Sequence, residues 1–146
     1  MEKVTLWGQQ ENQSRLEDYL QVIYRLINDK GYASTVEIAE KLHVKSPSVS
    51  VMLQRLASTG YLVHEPYRGV RLTDKGARIA RSVIKRHSII SELLIMLGVE
   101  DKVAYQDTEG IEHHIQPETI SKIEGLVAFL RKDPKLLRSI RNYKED

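Results

Sequence analysis

Between Ser34 and Thr73 the chain runs through a short helical segment, a tight turn, a second helical segment and two extended runs around a glycine. Few folds accept that order. Ser34 with Glu37 three positions on is the spacing of a capping box, and the helix it opens carries Val36, Ile38, Ala39 and Leu42 as apolar contacts. His43 to Lys45 make the turn. Ser46 is expected to cap the next helix, with Pro47 at its first position, where a missing N–H costs nothing. That helix carries Val49, Met52, Leu53 and Leu56 and stops at Gly60. Tyr61–Glu65 and Val70–Thr73 then read as two strands joined through Tyr67, Arg68 and Gly69, a hairpin. The expected unit is a winged helix-turn-helix.

The rest of the chain reads as helix. Ser14 and Glu17 repeat the capping spacing, so a first helix is expected from there to about Lys30, with Leu16, Leu20, Ile23 and Ile27 on one face. Residues 1–12 lack periodicity and read as a flexible arm. A long helix is expected over 74–97, followed by helices over about 100–115, 117–132 and 134–143. The expected fold is therefore mainly α: an N-terminal winged helix-turn-helix over 13–74 and a C-terminal helical domain over 75–146, with the long helix as linker.

Charge separates the two parts. Lys41 to Arg86 hold ten Lys and Arg against two acids, a local charge of +8 in a chain of net charge +2. The remainder is therefore at −6, a basic polyanion-binding module joined to an acidic one. Cysteine is absent, which excludes disulfides, thiolate metal sites and thiol catalysis. No signal peptide and no membrane-spanning apolar run is read in the sequence, so a cytoplasmic protein is expected.

A helix-turn-helix inserts the start of its second helix into the DNA major groove, where small or hydrogen-bonding side chains meet base edges. Lys45, Ser46, Pro47, Ser48 and Ser50 fit that requirement, with Gln54 and Arg55 one or two turns on. Arg68 at the hairpin tip is placed to reach phosphate or the minor groove.

In the acidic half, Glu109, Glu112 and His113 stand at i, i+3 and i+4, one helix face. Two carboxylates and an imidazole there make half a metal shell. His87, inside the apolar stripe of the long helix, and Asp18 with Gln21 on the first helix are candidates to complete it. A zinc-hydrolase helix needs His around a Glu or begins with His; here the first position is Glu109, so no enzyme is expected.

With these residues in place, the chain resembles the diphtheria toxin repressor family of iron-dependent repressors, in the short form without the C-terminal β-barrel domain. The matching stretches are Glu17-Asp18-Tyr19, Lys30-Gly31-Tyr32-Ala33, Tyr67-Arg68-Gly69 with Leu72-Thr73, Arg86-His87, and Glu109-Gly110-Ile111-Glu112-His113-His114. They span roughly Arg15 to Leu130. The resemblance implies a homodimer that represses metal-uptake genes on double-stranded operator DNA. It also implies a paired manganese site between the two domains, with ligands at Asp18, His87, Glu109, Glu112 and His113. Aspartate at the Asp18 position is the manganese-type choice, where iron-responsive members carry methionine. Gln21 departs from the family, which has Glu there. A neutral amide oxygen binds a cation more weakly, so one or two Mn(II) ions per subunit are expected. The alternative is a winged-helix regulator answering to another effector or to Fe, Zn or Co. Neither a membrane nor a small organic substrate is expected as a partner.

Overall fold

The computed structural model describes the backbone of residues 2–65 and 69–144, and the side chains of 12–65 and 69–144. Seven α-helices are present among them: α1 (Glu2–Lys30), α2 (Thr35–Leu42), α3 (Ser46–Ser58), α4 (Asp74–Met96), α5 (Asp101–Ile111), α6 (Pro117–Arg131) and α7 (Pro134–Asn142). Strands β1 (Leu62–Glu65) and β2 (Gly69–Leu72) pair antiparallel, with Leu62 opposite Leu72 and Glu65 opposite Gly69. A 3-10 turn, Glu112–His114, follows α5. None of the described helices is long and apolar enough to cross a membrane. The chain forms two compact units, Met1–Val83 and Ile84–Asp146, so the boundary falls inside α4.

Local chemistry explains most element ends. Ser34 caps α2 as read: its hydroxyl accepts from the Glu37 N–H, and the Glu37 carboxylate accepts from the Ser34 N–H. His43 closes α2 in the left-handed region at φ 55°. Two ends differ from expectation. Helix α1 begins at Glu2, not at Ser14, so the expected arm is helical backbone from residue 2 onward. Glu2, Lys3, Leu6, Gln9, Gln10 and Glu11 are good helix formers. Extending a nucleated helix adds one hydrogen bond per residue ordered, which outweighs a local cap at Ser14. Helix α3 has Lys45, not Ser46, at its cap position, with no side-chain cap bond; Ser46 is already helical. Pro47 still sits in the first turn, where no N–H is missed.

The core of the first unit gathers residues from every one of its elements. Leu20 and Ile23 of α1, Ile38 of α2, Val49 and Leu56 of α3 and Leu62 of β1 are each at most 1% exposed. Val70 of β2 and Ala80 of α4 join the same cluster. The first turn of α4 runs against the β1 approach so closely that a Cβ on Gly76 would lie 2.0 Å from the Tyr61 carbonyl oxygen. Thr73 fastens this junction: its hydroxyl donates to the Gly60 carbonyl at 2.6 Å and accepts from the Gly76 N–H at 3.2 Å.

The second unit has a thinner interior. Ile89 and Ile90 of α4 meet Ile120 of α6, with Leu94, Ile115 and Ile123 around them. Arg131 of α6 forms an ion pair with Glu92 of α4, and the Arg141 guanidinium of α7 donates to the Ile95 and Met96 carbonyls that end α4.

Candidate metal centre and nucleic-acid interface

Helix α5 buries one narrow stripe, Ala104 and Thr108. Four residues past Thr108 comes Glu112, continuing that stripe beyond the last α-helical turn and only 2% exposed. Burying a carboxylate costs several kcal/mol unless it is paired and hydrogen-bonded, and here it is. His87 Nδ1 donates to Glu112 Oε2 at 2.7 Å, and His113 Nε2 lies 3.4 Å from Glu112 Oε1. A carboxylate holding one ring nitrogen so that the other faces a cation is a recurrent arrangement around metals. Tyr105 packs edge-on to the His87 imidazole, centroids 5.1 Å apart.

Within the second unit the structure thus brings together His87, Glu112 and His113. Glu109 does not join them and lies on the exposed side of α5. The expected continuous helix through His113 in fact ends at Ile111 and tightens into a 3-10 turn. Glu112 instead extends the buried stripe of Ala104 and Thr108, about 60° around the helix from Glu109. His114 is exposed, as its spacing suggests. On α1, Asp18 and Gln21 are both partly buried and share a face of the helix. Tyr105 and Thr108 were not singled out from sequence. Thr108 was legible, since Ala104, Thr108 and Glu112 stand at i, i+4 and i+8.

In the first unit, α3 turns Val49, Leu53 and Leu56 inward. Lys45, Ser46, Pro47, Ser48, Ser50, Gln54 and Arg55 are all exposed, the arrangement a groove-reading helix needs. Arg68 lies outside the described residues. Arg71 of β2 pairs with Glu65 across the hairpin at 2.9 Å. Val51 of α3, 67% exposed, was not singled out from sequence.

Comparison with known proteins bears on both units. Residues 13–70 match the iron dependent repressor N-terminal DNA binding domain, and residues 73–139 match the iron dependent repressor metal binding and dimerisation domain. The HTH-type transcriptional regulator MntR of Lysinibacillus sphaericus (strain C3-41) is 41% identical over 125 residues, 86% of this chain and 90% of that protein. Among solved structures, the metal-dependent transcriptional regulator MtsR is similar at a TM-score of 0.73 and 30% identity, over 78% of this chain and 54% of that one. The manganese regulator SloR is similar at a TM-score of 0.70 and 28% identity, over 78% and 54%. The chain spans about half the length of these two solved chains. It belongs to the iron-dependent repressor family, whose members are metal-dependent transcriptional repressors and not enzymes.

Proposed function

We propose that this chain is a cytoplasmic, homodimeric repressor that binds double-stranded operator DNA of metal-uptake genes when loaded with Mn(II). The observation that carries the metal half is the buried Glu112 carboxylate with the imidazoles of His87 and His113 on its two oxygens. Nitrogen and oxygen donors without any thiolate suit manganese better than soft ions, and relatives named MntR and a manganese regulator support that ion. Asp18, Gln21 and Glu109 enter the ligand set on the sequence resemblance. When bound, the cation supplies positive charge against these carboxylates. It also favours whichever arrangement of the chain offers all its ligands, by no more than its differential affinity. The DNA half rests on the exposed, small and polar start of α3, with Lys45, Ser46, Pro47, Ser48, Ser50, Gln54, Arg55 and Arg68 as contacts.

The test is a DNA-binding titration on a duplex from the upstream region of a metal-uptake gene, at fixed ionic strength. Chelator, Mn(II), Fe(II), Zn(II) and Co(II) are compared. Mn(II) is expected to tighten binding within the usual range of allosteric coupling, about 5- to 150-fold, and His113→Ala to abolish the gain. Binding that survives both chelation and His113→Ala would instead point to another effector. A larger gain with Fe(II), Zn(II) or Co(II) would reassign the metal.

Gln21 favours a weaker or single-ion site. An amide is neutral, so the anionic ligands shrink to Asp18, Glu109 and Glu112. Two Mn(II) per subunit, bound as tightly as by the Gln21→Glu variant, would overturn that count.

A further inference from the structure

The exposed face of α3 has an apolar centre. On a helix advancing about 100° per residue, the buried Val49, Leu53 and Leu56 define one direction. In the first three turns, the side chains nearest the opposite direction are Val51, about 15° away, and Pro47, about 25° away. Gln54 and Arg55 flank them at about 50° on either side. Pro47 and Val51 stand at i and i+4, one above the other. The middle of the face presented to the groove is therefore hydrocarbon, with the hydrogen-bonding groups beside it.

Valine is a costly residue to leave in water there. It is a weaker helix former than Ala, Lys or Gln, and at 67% exposure it gains little from folding. What it offers is stiffness. A β-branched side chain on a helix is held almost entirely in one χ1 rotamer, so its methyls are fixed before any partner arrives. The major-groove edges of the four base pairs carry a single apolar feature, the thymine 5-methyl group, and a glutamine amide matches adenine N6 and N7.

We infer that Val51, stacked on Pro47, reads the 5-methyl group of a thymine in each operator half-site, and that Gln54 reads an adenine within one or two base pairs of it. This rests on the reading above that α3 enters the major groove, and names the base chemistry the helix selects.

Duplexes selected from a randomised library by the Mn(II)-loaded full chain supply the half-site. Each thymine is then replaced singly by deoxyuridine, which removes the methyl and leaves the hydrogen-bonding edge intact. At one position the loss should be about fourfold, the factor for one buried methyl group. Val51→Ala should bind the thymine and uracil duplexes equally there. Val36→Ala, which trims a valine on α2 that is 59% exposed, should keep the difference. Replacing the neighbouring adenine by 7-deazaadenine should weaken wild type and not Gln54→Ala. A wild-type chain insensitive to every thymine methyl, or a Val51→Ala chain that keeps the sensitivity, overturns the inference while leaving the repressor reading intact. A selection that enriches no sequence overturns the repressor reading and this inference with it.

Discussion

The two units solve the problem of a small core differently. The first closes its own: α1, α2, α3, both strands and the start of α4 all contribute to one buried cluster. Among the described residues, the second gathers Ile89, Ile90 and Ile120 in its cluster, with Ala104, Val127 and Leu130 buried outside it. Among the described residues, ten of the fifteen exposed large hydrophobic residues belong to it, including Phe129 at 60% and Tyr143 at 74%. A unit with so little interior and so much apolar surface is built to be covered by something else. Its match to a metal binding and dimerisation domain gives that surface a use. The first unit has its own closed core and matches a DNA binding domain.

The contrast can be broken at its strongest point first. Leu20→Ala removes a fully buried side chain from the first unit. It should cost about 2–5 kcal/mol in denaturant unfolding, by the same amount at every protein concentration. A loss near zero would mean that the core is not closed as described.

Phe129→Glu probes the other side. In a monomer a surface change of this kind moves stability by no more than about 0.5 kcal/mol. In a unit covered by a second copy, wild type should melt at a temperature that rises with protein concentration, and Phe129→Glu should remove that dependence. A wild-type melting temperature independent of concentration would break the comparison.

A smaller effect belongs to the α2 cap. Ser34→Ala removes the bond to the Glu37 N–H and should cost about 1 kcal/mol.

The smallest sits in the acid limb of stability and is present in both units. The Lys30 hydrogen bond holds the Glu37 carboxyl below its usual range, and the Arg131 hydrogen bond does the same for Glu92. A carboxyl whose folded pKa is lowered contributes stability that is present above its unfolded pKa and lost as pH falls through the folded one. Glu37→Gln and Glu92→Gln should each make stability fall less steeply below about pH 4.5. An unchanged slope in both would show that these exposed pairs contribute nothing to folding.

Much of this molecule was legible residue by residue. The Ser34–Glu37 spacing marked the start of α2, and Gly60 and Gly69 bracketed the hairpin. The alternation of Val49, Leu53 and Leu56 with polar neighbours gave the inward and outward faces of α3. These are local features, governed by backbone geometry and periods of a few residues, so neighbours in sequence suffice to read them. The same wheel could have picked out Val51, had the centre of the exposed face been read as closely as the buried one.

The candidate metal centre divides at the same line. The residue types and the neighbourhood of Glu109, Glu112 and His113 were visible in sequence, and so was His87 as an odd polar member of an apolar stripe. Which carboxylate would be buried was not. Glu109 and Glu112 lie about 60° apart around the helix, and which of them turns inward depends on which stripe, here that of Ala104 and Thr108, the rest of the unit covers. The His87–Glu112 bond joins residues 25 apart in the chain, a pairing no local pattern contains. Composition, charge and helix faces were thus determined by the sequence alone. The burial of Glu112 against two imidazoles was decided by tertiary packing, because only the assembled unit can repay the cost of taking that carboxylate out of water.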